Sequence, residues 1–536
     1  VAEPLRRALR QAKRPRFTRH INIGTLVVIV GVLLAFPLLV LAAEPASPRY
    51  VLAFAIPSGL SLVLGWLLFR HVGSDDDVSH FEVNTQVGSL TVLLGWLYGF
   101  VAGAAPFVIA GYLPPLHALF ESVSGWTGTG LTMMDVVAAP DVFLFHRAFM
   151  QFAGGLGFVM VVLMFVHSKQ AANLYNAEGH PDRVAPRVKG SARAIFLIYL
   201  GFVGLGTVLY RLLGMPWFDS LLHSMSALGT GGFSTQYASI GGYGNVGIEI
   251  VTAVLMVIGM TNFAVLLLLA RGRWRQVSRV SEVRFMALLL AGLTAVVALL
   301  LWSDGVGTAR GATHHALFTV ISAVSTTGFS TIDLAGASQA VVGVLTVAML
   351  VGGGIGSTAG GLKIQRAYIL TRVLGAALKR RMMPARVVSA PRFTRAQGRA
   401  TIDDSLATEI MGFALMYLAV FLAGTFVFTV VEGVSLGEGA FDFASVLSST
   451  GLSVGVVHAE SHVVTLVTAM VGMVLGRLEI FIVLIGVHSG WRLSKAWVAR
   501  IVGLRHGRKV LAAAAPVARP DAEPVADPAP VGSLRG

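Results

Sequence analysis

The chain has 536 residues, 55% of them hydrophobic and only 13% charged, with a formal net charge of +14. Soluble domains carry roughly a quarter charged residues, so this composition is that of a polytopic membrane protein. The absence of cysteine excludes disulfides and thiol chemistry, and the basic excess is read as positive-inside topology rather than nucleic-acid binding.

Residues 1–20 are polar and basic, with Arg6, Arg7, Arg10, Lys13, Arg14, Arg16 and Arg19. The apolar run from Ile21 to Ala43 is long enough to span a bilayer, for which about 20 residues suffice. Leu41-Ala42-Ala43 resembles a signal-peptide cleavage site. The run exceeds a usual signal core, however, and a second span follows over Tyr50 to Phe69, so a retained anchor is expected. Asp75, Asp76 and Asp77 read as a solvated turn, with metal binding as the rival reading.

A pattern then recurs four times: an apolar span, a short apolar run that ends in hydroxyls and a glycine, and a returning span. The first unit crosses from Val87 to Ala110, closes its short run on Gly130 and returns over Phe143 to Val166. The second crosses from Ala194 to Leu213, closes on Gly232 and returns over Ile248 to Ala270. The third crosses from Phe285 to Trp302, closes on Gly328 and returns over Val341 to Leu370. The fourth crosses from Leu406 to Val431, closes on Gly451 and returns over Val463 to Val487. The closing glycines are 102, 96 and 123 residues apart.

Basic connections holding Lys169, Arg183, Arg187, Lys189 and Arg193, then Arg271, Arg273, Arg275, Arg279 and Arg284, then Lys379, Arg380 and Arg381, mark the cytoplasmic side. The Ala- and Pro-rich tail from Ala512 is expected to be disordered. The expected fold is an all-α polytopic membrane protein, with four helix–pore-loop–helix repeats around one central pore and two extra N-terminal transmembrane helices. Its parts are a basic cytoplasmic segment 1–20, two leading spans in 21–83, repeats at 84–190, 191–280, 281–400 and 401–495, and a cytoplasmic tail 496–536.

A selective cation pore replaces an ion's hydration shell with fixed oxygens. Backbone carbonyls serve when an extended loop turns them inward, and glycine permits the backbone angles this needs. A short helix that stops inside a membrane also leaves its last carbonyls, the negative end of its dipole, without intrahelical partners. The candidate lining is Thr127-Gly128-Thr129-Gly130, Gly229-Thr230-Gly231-Gly232, Ser325-Thr326-Thr327-Gly328 and Ser448-Ser449-Thr450-Gly451. Small residues also permit close helix packing, which is the bland alternative for any one loop.

The chain resembles the TrkH/KtrB superfamily of potassium transporters, the TrkH branch in particular. The motifs are Phe120-Glu121-Ser122-Val123-Ser124-Gly125, Gly231-Gly232-Phe233-Ser234-Thr235, Ser325-Thr326-Thr327-Gly328-Phe329-Ser330-Thr331 and Gly476-Arg477-Leu478-Glu479. The resemblance covers Ile21 to Trp491 and implies that Gly130, Gly232, Gly328 and Gly451 hold a potassium-selecting filter. Plant relatives that favour sodium have serine at the position of Gly130. The chain departs from the family's common residues at Gly128, Gly229, Ser448 and Ser449. The resemblance further implies K+ as the transported ion with no organic cofactor, a homodimer, a cytosolic TrkA-like nucleotide-binding regulatory ring, and a lipid-embedded place in a bacterial inner membrane with both termini cytoplasmic.

Gly352-Gly353-Gly354-Ile355-Gly356-Ser357-Thr358-Ala359-Gly360-Gly361 holds six glycines in ten residues, enough to break a helix at about 1 kcal/mol each. Close packing at four-residue spacing is one reading. The resemblance implies instead an intramembrane gate, which Lys363 either steadies or merely adjoins as an interfacial lysine. Arg477, deep in the last span, is either a structural partner of a carboxylate or, as the resemblance implies, a barrier charge in the pore. Asp219 and Asp442 are read as helix caps, and Glu121 either as a cap or as a cation attractor. The histidines show no metal spacing.

A less selective K+/Na+ channel and an ion-coupled symporter are the alternatives within transport. A membrane-embedded hydrolase is remote, because a single active site has no use for a fourfold pattern; no enzyme activity is expected.

Overall fold

The structure, a computed structural model, describes residues 23–43, 47–72, 85–156, 188–382 and 391–495. The basic segment 1–20, the acids Asp75, Asp76 and Asp77, the basic residues Lys169, Arg183 and Arg187, the first return span beyond Leu156 and the tail 496–536 lie outside the described residues. The chain through Gly486 forms one compact unit, and a second begins at Val487.

In hydrocarbon every backbone polar group needs an internal partner, so long apolar stretches become helices. Two open the chain, α1 (Ile23–Ala35) with its continuation α2 (Pro37–Ala43), and α3 (Pro48–Val72), with α1 packed along α3. The order long helix, short helix, third helix then occurs four times. First come α4 (Thr85–Ile109), α5 (Pro115–Thr127) and α6 (Asp141–Gly155). Next are α7 (Val188–Leu212), α8 (Trp217–Leu228) and α9 (Val246–Gly259), continued by α10 (Phe263–Ala270). After a one-turn α11 (Trp274–Val277) come α12 (Ser281–Ser303), α13 (Ala309–Val324) and α14 (Gln339–Val351), continued by α15 (Ile364–Met382). Last are α16 (Asp404–Glu432), α17 (Leu436–Ser448) and α18 (Val463–Arg477).

Six helices among the described residues are long and apolar enough to cross a membrane, and two bent pairs pass the same test jointly. The long helices present large apolar side chains outward: Leu60, Val101, Leu288, Leu415 and Phe426 are 65–72% exposed. Such a continuous apolar exterior suits lipid rather than water. The short helices are enclosed, with Phe120, Ala227, Val324 and Phe441 fully buried.

Two return spans expected to be single helices are broken. The second bends by 112° between α9 and α10, and the fourth by 104° where Ile480–Lys495 follows α18. Glycine explains where. A methyl carbon added to Gly154, Gly259 or Gly476 would lie 1.9, 2.7 or 1.8 Å from the carbonyl oxygen of Trp126, Leu228 or Leu447. These glycines let a third helix press on the end of its short helix. The chain then turns, with Asn262 capping α10 by accepting from Ala264 N–H at 2.8 Å.

The structure also contains an antiparallel hairpin, β1 (Arg392–Arg395) with β2 (Gly398–Thr401), pairing Arg392 with Thr401. An all-helical expectation did not include it, and the repeat boundary drawn at 400 falls inside β2. Thr394 N–H donates to Ser281 Oγ at 3.0 Å, which pins the hairpin to the start of α12.

Candidate functional site

The four short helices start differently and end alike. Pro114 and Pro216 precede α5 and α8, Thr308 Oγ1 accepts from Gly311 N–H at the start of α13, and Ser435 caps α17 in a reciprocal box with Glu438. At the other end, the residue two before each closing glycine is left-handed: Gly128 (φ 71°), Thr230 (51°), Thr326 (53°) and Ser449 (57°). The amides of that residue and the next fold back onto carbonyls three and five residues earlier, as in Thr326 N–H to Ala323 and Thr327 N–H to Ser322. This is the Schellman arrangement, repeated four times. The closing glycines follow with φ of 90°, 78°, 88° and 91° at Gly130, Gly232, Gly328 and Gly451.

The loops meet in a ring. A methyl carbon on Gly130 would lie 2.2 Å from Gly231 O; on Gly232, 2.0 Å from Thr327 O; on Gly328, 2.1 Å from Thr450 O; on Gly451, 2.1 Å from Thr129 O. The contacts pass from loop to loop and close on themselves, so the sixteen expected lining residues are brought together. Of these, only the closing glycines are not fully buried. A cavity of about 600 Å³ opens on Gly328 and Gly451, with Asp333 and Ser453 in its wall. Four short helices thus bring the negative ends of their dipoles to this ring.

Side chains behind the ring hold its shape. Three loops carry a hydroxyl pair three and one residues before the glycine: Thr127 with Thr129 (2.8 Å), Ser325 with Thr327 (2.7 Å) and Ser448 with Thr450 (2.6 Å). The second loop has Gly229 and Gly231 there. Gln151 of α6, fully buried, fills the space. Its Nε2 donates to Gly231 O (2.5 Å), and its Oε1 accepts from Ser226 Oγ (2.7 Å) and Phe233 N–H (3.2 Å).

Nine residues before the glycine stand Glu121, His223 and Asp442, each bonded to a hydroxyl eleven residues on: Thr132 (3.0 Å), Ser234 (2.9 Å) and Ser453 (2.7 Å). Asp442 is therefore not a cap. Buried inside α17, it also accepts from the amides of Val454, Val456 and Val457 and so anchors the chain leaving the ring. Asp219 lies in the first turn of α8 but caps nothing; it accepts from Tyr243 hydroxyl at 2.9 Å. Glu121 is no cap either. It forms a buried ion pair with Arg147 at 2.5 Å, and the Arg147 guanidinium lies 3.9 Å over the Phe233 ring of the second loop.

Gly352 to Lys363 form an irregular loop between α14 and α15, on the side from which the four chains enter the ring. Gly360 must be glycine, since a methyl carbon there would lie 1.9 Å from Ser448 O. Its amide donates to Thr326 Oγ1 at 2.7 Å. Thr358 Oγ1 donates toward Leu228 O and Gly259 O and lies 3.2 Å from Thr230 Oγ1. Glu282 of α12 accepts from Ile355 N–H at 2.8 Å, Gly354 N–H reaches Met260 O, and Phe263 N–H reaches Gly356 O. The last two contacts join this loop to the break between α9 and α10. Lys363, at φ 82°, donates to Ala359 O.

Arg477 ends α18 rather than lying within an unbroken span. Its guanidinium donates to Thr358 O (2.5 Å), Gly154 O (2.6 Å) and Gly155 O (2.9 Å), while Glu479 binds Arg366 at 2.9 Å. Gln151, Arg147, Glu282 and Arg366 were not singled out from sequence. The signal for Arg147 was a charge between apolar neighbours in α6; Gln151 gave none.

The profile of one protein family, described as TrkH, cation transport protein, matches residues 81–489. The chain is 29% identical to the Trk system potassium uptake protein TrkH of Halomonas elongata, over 86% of this chain and 96% of that one. It is 29% identical to the Trk system potassium uptake protein TrkG of Escherichia coli K12, over 77% of this chain and 87% of that one. Its fold is similar to the crystal structure of the potassium transporter TrkH from Vibrio parahaemolyticus, with a TM-score of 0.76, 28% identity, and coverage of 88% and 98%.

Proposed function

The chain belongs to the TrkH family of cation transport proteins, and from that premise we propose that it is a potassium-uptake subunit whose ring of four loops is the selectivity filter. The observation that carries this is the closed circuit of glycine-to-carbonyl contacts through Gly130, Gly232, Gly328 and Gly451. The four helix–loop–helix units are then quarter-subunits around one central pore, and the helices within 21–83 stand outside it. K+ exchanges its water for carbonyl oxygens, with dipolar rather than charged ligands so that it also leaves.

The loop from Gly352 to Lys363 is the gate. It crosses the entry side of the ring, bonded to Thr230, Thr326 and Arg477. Arg477 holds Thr358 in place and adds a positive charge to the barrier. A homodimer in a bacterial inner membrane, both termini cytoplasmic, with a cytosolic nucleotide-binding ring acting on the gate, completes the reading; the hairpin bonded to Ser281, next to Glu282, supplies a route from cytoplasm to gate. Uptake of potassium, rubidium and sodium into proteoliposomes tests the function: potassium and rubidium enter well ahead of sodium, and equal sodium entry defeats the reading.

A further inference from the structure

The second loop lacks what the other three share. Thr127, Ser325 and Ser448 stand three residues before the closing glycine and bond a threonine hydroxyl two residues on. Thr127 and Ser448 donate back to Val123 O and Ala444 O, so in those loops the threonine donates across the pair. The pair fastens the last carbonyls to the helix end. At Gly229 and Gly231 no side chain exists to do so.

Backbone strain does not explain the glycine at 231, since its φ is not positive. Occupied space does: a methyl carbon there would lie 2.3 Å from Gln151 Cδ. Phe233 N–H can only donate and Gly231 O can only accept, so the two ends of the Gln151 carboxamide are set unambiguously. One side chain thus ties the residue before the closing glycine to the residue after it, and both to Ser226 of α8.

We propose that Gln151 is a specificity-determining positioning residue: reaching in from the neighbouring unit, its carboxamide replaces the missing hydroxyl pair and holds the second loop's carbonyls at the radius the other three adopt. This rests on reading the ring as the filter. Gln151 does not touch the ion in this account; it acts through Gly231.

The test is a swap read as the ratio of rubidium to sodium uptake in proteoliposomes, on protein that elutes as the parent does in size exclusion. Gln151→Ala lowers the ratio about tenfold, as expected when a buried donor loses its partner. Gly231→Thr alone also lowers it, because the new side chain collides with Gln151. Combining the two restores part of the ratio, since the threonine then has the room that Thr129, Thr327 and Thr450 have, while Gly229 still offers it no hydroxyl partner. Gln151→Glu, nearly isosteric, serves if the alanine variant does not fold; it sets a carboxylate against Gly231 O and lowers the ratio likewise.

Gly130→Ser separates the two levels of the claim. If it lowers the ratio and Gln151→Ala and Gln151→Glu do not, the filter reading stands and the role of Gln151 is overturned. A double variant no better than either single one overturns the replacement of hydroxyl by carboxamide. If Gly130→Ser also leaves the ratio unchanged, both readings fall.

Discussion

The ring and the loop beneath it are both rich in glycine, and they are held in opposite ways. In the ring, each closing glycine is required by the carbonyl of the next loop, and the contact is made four times over. Behind it lie hydroxyl pairs, Gln151, the Glu121–Arg147 ion pair and the Asp442 anchor. From Gly352 to Lys363 one irregular segment is held by unlike bonds along its length, to Glu282, Met260, Phe263, Gly259, Thr326 and Arg477, a set made once rather than four times. A selecting element must keep its radius, whereas a gate must leave at modest cost. Ties repeated around a closed ring suit the first, and ties made once by an open segment suit the second.

The largest effect expected from breaking this contrast is at Arg147. Removing one partner of a buried ion pair costs about 3–5 kcal/mol, so Arg147→Ala lowers the thermal midpoint in detergent sharply, and Arg147→Ala with Glu121→Gln recovers part of it. An unchanged midpoint would show that the ring does not depend on this pair.

Gly130→Ser comes next. Its side chain meets Gly231 O at φ 90°, and the potassium-to-sodium uptake ratio falls about tenfold, equivalent to about 1.4 kcal/mol. On the gate side, Arg477→Ala raises uptake about tenfold by removing a tie and a barrier charge, each 1.36 kcal/mol being tenfold in rate. Glu282→Ala, which takes the acceptor from Ile355 N–H, raises it about threefold. Neither gate variant changes the uptake ratio; a change in ratio would mean that ring and loop are one element.

Asp135, between the first closing glycine and α6, sharpens the contrast from the other side, since its expected effect is nil. The Tyr237 hydroxyl, and then the Ala138 amide, hold its carboxyl below the ordinary range. A lowered folded pKa gives a contribution that is complete above the unfolded value, about 3.9, and is lost only as pH falls through the lower one. Uptake by the parent and by Tyr237→Phe therefore runs in parallel from pH 5 to 8; a divergence there would assign Asp135 a titrating role.

Much of this site was legible because glycine and hydroxyl residues recur at one spacing: Gly130, Gly232, Gly328 and Gly451 announced four equivalent loops. The glycine run from Gly352 likewise announced a broken helix. The breaks after Gly259 and Arg477 were hidden because both flanks are apolar, and hydropathy cannot see a bend; Asn262 as a cap and the Arg477–Glu479 step were the local signs. Asp442 read as a cap because acids favour helix starts, but its loop packs against the middle of α17, a long-range fact. Gln151 was invisible for the same reason. Its partners Ser226, Gly231 and Phe233 lie 75 to 82 residues away, and only the folded ring shows what stands where the second loop lacks the hydroxyl pair.

The most direct measurement is anomalous diffraction from crystals grown in rubidium. A peak on the ring axis, at coordinating distance from the carbonyl oxygens of Thr129, Gly231, Thr327 and Thr450, is the predicted result. Well-ordered loops with no peak between them, and rubidium bound only elsewhere, would contradict it.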